Sequence, residues 1–238
     1  MNPTPSHAPG MAVAVIGAGR LGTVLAAALR AEGFDVTGPL GRDEQAPEVD
    51  LAILAVPDAA IADAAAAARR TATKIAHVSG ATGLEHVDLS IHPLQTFTGA
   101  EPPEVFHGLG AAVDGRTGDD RAVAEQLARA LGMIPFTVTD RATYHAAASF
   151  ASNFVLAVLD AAERLATAAG VENPREILAP LARQSVENWE RCGAQKALTG
   201  PIARGDEATV AAQRAASGEH RDLFDALATA TRALKDRA

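Results

Sequence analysis

Six residues decide most of what this chain can fold into: Gly17-Ala18-Gly19-Arg20-Leu21-Gly22, reached directly from the apolar run Met11 to Ile16. That run is short, apolar and rich in β-branched residues, as a strand buried on both faces must be. Behind the turn, Leu21, Val24, Leu25, Ala28 and Leu29 share one face of a helix over Arg20 to Glu32, closed by Gly33. A G-x-G-x-x-G turn is informative only in this strand–turn–helix setting. There, one glycine makes the tight turn and the next lets backbone approach a pyrophosphate. The third lets helix and strand pack closely, and the helix N-terminus faces the phosphates. Gly17, Ala18, Gly19, Arg20, Leu21 and Gly22 are therefore candidate dinucleotide contacts, and a glycine turn without a ligand is the competing reading.

The rest of the first half repeats the alternation. Strands are expected at Phe34–Thr37, Leu51–Val56 (ended by Pro57), Lys74–Val78, Ser90–His92, Gly110–Val113 and Pro135–Val138. Helices are expected over Ala59–Arg70, capped by Asp58, and over about Asp119–Leu131. Such alternation predicts an α/β Rossmann domain with a mostly parallel, doubly wound sheet. From Asp140 onward no convincing strand remains. Helical runs cover Arg141–Ala169, Pro174–Arg191, Asp206–Ala216 and Glu219–Lys235. The expected organisation is a disordered lead-in at 1–10, the Rossmann domain at 11–140 and an all-α C-terminal domain at 141–238.

NAD-binding chains usually end the second strand on a carboxylate that holds the ribose hydroxyls. Here that region reads Thr37-Gly38-Pro39-Leu40-Gly41-Arg42, with no acid before Asp43. Arg42 can pair with a 2′-phosphate through its planar fork, so NADP is the expected cofactor and NAD the alternative; a solvated arginine is the competing reading. Val56 and Pro57 at the end of the third strand, and Ser79 after the fourth, complete the candidate cofactor contacts.

Two clusters outside the turn carry candidate chemistry. His92 stands in Ile91-His92-Pro93-Leu94-Gln95-Thr96-Phe97, on the carboxyl side of the sheet, where open α/β sheets place ligands. A histidine there can donate a proton to a forming alkoxide. On the long helix, His145, Ser149, Ser152 and Asn153 fall within one arc of roughly 100°, and such a polar stripe must meet water, a partner or a ligand. A turn histidine at 92 and an interhelical hydrogen-bond network at 145–153 are the plain alternatives. A third segment, Leu198 to Asp206, either presents Thr199 and Arg204 to a substrate carboxylate or is a helix–helix turn capped by Asp206.

Composition narrows the partners. A net charge of −8 over 238 residues argues against a broad electrostatic grip on nucleic acid or anionic membrane. The single cysteine, Cys192, rules out an intrachain disulfide and fits a reducing, cytoplasmic setting. No uninterrupted apolar run approaches the roughly 20 residues of a membrane span, and no metal-ligand spacing stands out. Apolar residues on the long helix (Phe150, Phe154, Val155 and Val158) exceed what one short partner helix could cover and point to a homodimer through the helical domain.

In order, GAGRLG, AVPD, HVSG, HPLQTF, YHAAASFASN and LTGPIARGD resemble the 6-phosphogluconate dehydrogenase-like reductases. That group includes ketopantoate reductase, pyrroline-5-carboxylate reductase and prephenate dehydrogenase. More closely they resemble a bacterial family that pairs a Rossmann-like domain with a helical domain of unassigned role. The resemblance covers nearly all of the chain after residue 10. It implies an NADP-dependent reductase of a small 2-oxo acid, similar to ketopantoate reductase. An imine reductase and a non-catalytic NADP-binding sensor or partner protein are the alternatives. In ketopantoate reductases the long helix carries a lysine and then two asparagines, which fall on His145, Ser149 and Asn153. In prephenate dehydrogenases a histidine in an HP motif contacts substrate, which falls on His92, with Ser79 on the preceding strand. The lysine is replaced here, so the resemblance leaves His145 or His92 to donate the proton. The segment from Gly38 to Asp50 is too short for the usual second helix.

Overall fold

A computed structural model describes residues 10–235; the expected lead-in at 1–10 lies almost wholly outside them. The described chain separates into two compact units that divide after Ser152.

The first unit is built on one seven-stranded sheet in the order β2-β1-β3-β4-β5-β6-β7. Its strands are β1 (Ala12–Ile16), β2 (Asp35–Leu40), β3 (Val49–Leu54), β4 (Ala72–His77), β5 (Leu89–Pro93), β6 (Gly110–Gly115) and β7 (Ile134–Phe136). All neighbours pair parallel except β5 and β6. Helices α1 (Arg20–Ala31), α2 (Ile61–Ala68) and α3 (Gly118–Ala130) cover the sheet, and α4 (Arg141–Ala151) follows β7. This is the expected mostly parallel, doubly wound sheet. Its one antiparallel pair follows because the connection over residues 94–109 starts and ends at the same edge of the sheet, with no crossover helix to carry the chain back.

Side-chain alternation along each strand builds the two layers. Val13, Val15, Leu51 and Ile53 join Leu25, Leu29, Phe106, Leu127 and Leu131 in one core. Ala14, Ala52 and Leu54 join Ile61, Ala65 and Ile75 in the other. Successive residues of a strand face opposite sides, so strands covered on both faces read as unbroken apolar runs. The core against α2 is lined by alanine, which lets that short helix lie close to the sheet.

β2 leads straight to β3 through residues 41–48 without a helix, as the short Gly38–Asp50 segment implied. β2 runs to Leu40, past the expected end at Thr37. As an edge strand it tolerates Pro39, which has no N–H to give to a ladder. The expected helix at Ala59–Arg70 is a 3₁₀ turn over Asp58–Ala60 followed by α2. That turn starts from Pro57 without a side-chain cap, so Asp58 is not the cap it was expected to be.

The helix expected over Arg141–Ala169 is two helices. Its backbone breaks at Ser152 (φ −129°, ψ −81°), where α4 ends and α5 (Asn153–Ala168) begins. The first unit therefore keeps α4, and the division comes later than the expected boundary at 140. Within the 28 residues Arg141–Ala168 an 18-residue window reaches a mean hydropathy of 1.2, long and apolar enough for a membrane span, which corrects the expectation that no stretch reaches that length. The break at Ser152 interrupts the continuous backbone hydrogen bonding that a spanning helix needs.

The second unit holds α5, α6 (Pro174–Ala197), α7 (Pro201–Arg204), α8 (Glu207–Ala216) and α9 (Arg221–Lys235). Gly193 at φ 77° kinks α6 just beyond the expected end at Arg191. Among its described residues only Ala161, Val210, Ser217 and Ala228 are buried. Ion pairs tie its helices at the surface, Arg214 to Asp225 at 2.6 Å and Arg175 to Glu163 at 2.7 Å. Exposed pairs of this kind contribute little stability.

Candidate functional site

β1 ends between the carboxyl ends of β2 and β3: Gly17 N–H donates to the Leu40 carbonyl (2.8 Å), and Ala55 N–H donates to the Ile16 carbonyl (2.7 Å). This is the point where the strand order reverses, and a crevice opens there. Gly17, at φ 116°, lies so close to Ala55 that a Cβ would stand 2.2 Å from its carbonyl oxygen; at Gly22 it would stand 1.9 Å from the Gly17 carbonyl oxygen. Both glycines are demanded by the fold itself. Gly19 is not: a Cβ there meets nothing within 4 Å, and its backbone (φ −79°, ψ −175°) suits any residue. No side chain caps the α1 N-terminus at Gly19. Its first N–H groups are therefore left without a side-chain acceptor, the arrangement that can receive a phosphate.

Beside the turn lies a cavity of about 620 Å³, lined by Gly17, Ala18, Arg42, Val56 and residues of α2. Its volume and its single walls of alanine suit a flat aromatic base. Arg42 and Arg70 bring positive charge to it; Asp63 and Glu44 bring negative charge. The Glu44 carboxylate accepts the Gly41 N–H at 2.5 Å and so braces the loop after β2. Of the other candidate contacts, Arg20 and Leu21 open α1, and Pro57 starts the 3₁₀ turn. Gly99, in the loop after β5, packs on Arg20, with a Cβ there 3.4 Å from the Arg20 Cα. The residues that follow His92 thus return to the glycine turn.

On the same carboxyl edge, about three strand spacings or ~15 Å away, stands a group of histidines. His77 ends β4 and is fully buried. Its Nδ1 accepts the Ser79 N–H (3.2 Å), which leaves Nε2–H to donate to the Gly83 carbonyl (2.9 Å). Burial pushes its pKa down. The Ser79 hydroxyl accepts from the N–H groups of Ala81 and Thr82, at 3.2 and 3.0 Å. His77 and Ser79 together shape the turn that presents Gly80.

Gly80 lies between two imidazoles: a Cβ would stand 2.8 Å from His92 Cε1 and 2.9 Å from His145 Cδ2. The two rings meet edge to face with centroids 6.3 Å apart. His92 Nδ1 is hydrogen-bonded to the Tyr144 hydroxyl at 2.7 Å. Its pKa is pushed down to about 4, first by burial and then by His145 and Arg141, with Asp58 opposing. At neutral pH His92 is therefore an uncharged imidazole, not a cationic acid.

Arg141 fixes this arrangement. It donates to the Ser79 carbonyl (3.5 Å) and the Ser90 hydroxyl (2.5 Å), and it pairs with Asp114 (3.4 Å). One guanidinium thus joins the turn after β4 to β5, to β6 and to the first turn of α4. Tyr144 and His145, three and four residues on, share the Arg141 face of the helix. Asp140 caps α4 by accepting the Thr143 N–H at 3.1 Å. The sequence reading passed over Arg141, Tyr144, His77 and Asp58 as site residues. The i, i+3, i+4 spacing that places Arg141 and Tyr144 on the His145 face was the signal available for two of the four.

The polar stripe does not continue past α4. Ser149 donates to the His145 carbonyl (3.2 Å) and Ser152 to the Ala148 carbonyl (2.7 Å), so both hydroxyl protons go to the helix itself. Asn153 starts α5, beyond the break, and belongs to the second unit. Thr199 and Arg204 also belong there: Thr199 is exposed, and Arg204 ends the one-turn helix α7. Asp206 caps α8 by accepting the Thr209 N–H at 3.1 Å. Among the described residues no group of three or more His, Cys, Asp or Glu could hold a metal ion.

The chain is similar to several solved structures over nearly its whole length. A Bacteroides fragilis protein assigned as an NADP oxidoreductase is 22% identical, with a TM-score of 0.81, over 94% of this chain and 99% of that one. Protein TM1727 of Thermotoga maritima is 23% identical, with a TM-score of 0.79, over 94% and 100%. Plasmodium falciparum pyrroline carboxylate reductase, solved with NADP bound, is 10% identical, with a TM-score of 0.58, over 94% and 98%. Likeness at these identities establishes the Rossmann-like architecture. No curated protein matches in sequence. One family model does match, over residues 110–231, a stretch that includes Arg141, Tyr144 and His145 and stops short of the glycine turn and His92. By that match over half of its 238 residues, the chain belongs to the family described as Domain of unknown function (DUF2520).

Proposed function

We propose that the protein is an NADP-dependent oxidoreductase that reduces the carbonyl of a small 2-oxo acid, with ketopantoate-like acids as first choice. One observation carries this reading: His92 and His145 converge on Gly80 at the carboxyl edge of the same sheet whose first strand ends in the glycine turn. The neighbours described as NADP oxidoreductases support it.

The residues present fit a dinucleotide. The open α1 N-terminus at Gly19 would receive the pyrophosphate, the cavity beside Ala18 and Val56 the adenosine, and Arg42 the 2′-phosphate. When bound, NADPH supplies the hydride. The chain's own part is to hold the carbonyl and deliver a proton. His92 has its Nδ1 engaged by Tyr144, and among the described residues its Nε2 makes no hydrogen bond. Nε2 is thus the position left to meet a carbonyl oxygen, with the His145 ring alongside. Gly80 keeps the space between the rings clear, because any side chain there would collide with both.

A cyclic imine is the second substrate class, favoured by the fold shared with pyrroline carboxylate reductase. The single cysteine supports a reducing, cytoplasmic setting. The test follows NADPH oxidation at 340 nm against a panel of 2-oxo acids and cyclic imines. Turnover with a 2-oxo acid, lowered roughly 10²-fold in His92→Ala, is the expected result. Turnover with imines alone reassigns the substrate. Tight NADPH binding with no turnover on any member reassigns the protein as a non-catalytic sensor.

A further inference from the structure

A neutral histidine poses a chemical difficulty. An uncharged imidazole releases its N–H proton only if its other nitrogen gains one in the same event. At His92 that other nitrogen, Nδ1, is 2.7 Å from the Tyr144 hydroxyl. The phenol ring is held from behind by Phe136, edge to face at 5.9 Å, and the helix that carries it is pinned by Arg141. We propose that Tyr144 is the proton source of the site and acts through His92 as a two-proton relay. The proposal rests on the reductase reading above.

In the step, the carbonyl carbon takes hydride and its π pair moves to oxygen. That oxygen takes the proton of His92 Nε2, while Nδ1 takes the proton of the Tyr144 hydroxyl. Imidazole begins and ends neutral, with its tautomer exchanged. Tyr144 is left as a phenolate, which solvent reprotonates when product leaves. The transfer runs downhill, because an alkoxide is a far stronger base than a phenolate. The charged and titratable groups facing the pair are Arg141 and His145 on α4, His77 at the end of β4 and Asp58 after β3. Arg141 also bears on the phenol and favours its anionic form, against the burial that disfavours it. Tyr144 is thus a positioning and relay residue, while His92 touches substrate.

Tyr144→Phe tests this, since it keeps the ring packed on Phe136 and removes only the hydroxyl. Two readouts decide. In ¹⁵N NMR of the protein without cofactor, His92 of the wild type should carry its proton on Nε2. In Tyr144→Phe it should become a mixture of tautomers. A wild-type proton on Nδ1 would mean that the imidazole donates to the phenol, and would overturn the relay. In single-turnover NADPH oxidation, Tyr144→Phe should be slower by about 10²-fold with unchanged NADPH affinity. Rates in H₂O/D₂O mixtures should bow downward for the wild type, as two protons moving together require, and fall on a straight line for the variant. Equal rates in the two proteins, or a straight line in the wild type, overturn the relay and leave the reductase reading standing. A wild type inert toward every carbonyl and imine overturns that reading, and the relay with it.

Discussion

At the scale of single residues, the site is a set of side chains whose charge is decided by their surroundings. His92 has a pKa of about 4, well below the ordinary histidine value of 6.5. Between those two values the unfolded chain binds a proton that the folded chain refuses. Stability is therefore complete above about pH 6.5 and is lost as pH falls toward 4. His77 is shifted the same way by its burial and adds to the loss. Thermal midpoints measured from pH 7.5 to pH 4.5 should drop by an amount equivalent to roughly 1–3 kcal/mol, and His92→Gln should flatten the profile. An unchanged midpoint in the wild type would mean that these imidazoles are not held neutral. Arg42 makes a separate prediction. If it holds the 2′-phosphate beside the cavity, Arg42→Ala should weaken NADPH binding by about tenfold and leave NADH unaffected. Equal wild-type affinity for the two nucleotides would remove that role. The positions of Gly17 to Gly22, Arg42 and His92 beside the carboxyl edge were legible because each follows or ends an expected strand, and that of His145 because of the polar stripe on its helix. Tyr144 and Arg141 were not given roles, because their partners His92, Ser90 and Asp114 lie far off in the chain. Local spacing shows that they share a helix face, but not what that face meets.

At the scale of elements, periodicity located nearly every strand and helix of the first unit, and it failed where backbone geometry outweighs side-chain pattern. From Arg141 to Ala168 no glycine or proline interrupts the helical pattern, yet the chain bends at Ser152, whose hydroxyl bonds to the Ala148 carbonyl. Hydroxyls bonded to their own helix are a known source of bending. The direction of β6 was equally hidden, because strand periodicity is the same in parallel and antiparallel pairs. Arg141 holds α4 to the sheet, so its loss should be felt beyond the site. Arg141→Ala leaves Ser90 without its donor and Asp114 without its partner. It should cost about 1–3 kcal/mol of stability, a fall of several degrees in thermal midpoint for a unit of this size. Arg141→Lys should recover only part, since one ammonium cannot reach three acceptors on a turn and two strands. Full stability in Arg141→Ala would reduce the clamp to a surface contact.

At the scale of the whole molecule, the two units are unequal in what they bury. The first has a core on each side of its sheet; the second, among its described residues, buries little beyond Ala161, Val210 and Ala228. Ile177, Leu181 and Trp189 on α6 are 63%, 67% and 59% exposed, and Phe154 and Leu156 on α5 are half exposed or more. A helical unit of this size with so small a core needs a partner surface. A second copy of the chain is the expected occupant. Light scattering should give twice the 24.4 kDa mass of one chain, and Leu181→Glu should shift it toward one. A monomer at high concentration would contradict this. The claim on which the rest depends is that a dinucleotide sits at the glycine turn, and Gly19 tests it most directly. The fold has no need of glycine there: its backbone is extended and a side chain would meet open space. Gly19→Val should therefore leave the thermal midpoint where it is, yet weaken NADPH binding at least tenfold in titration calorimetry, because the added methyls occupy the approach to the α1 N-terminus. Unchanged affinity in a normally folded Gly19→Val would contradict the account, since the glycine would then serve neither fold nor ligand.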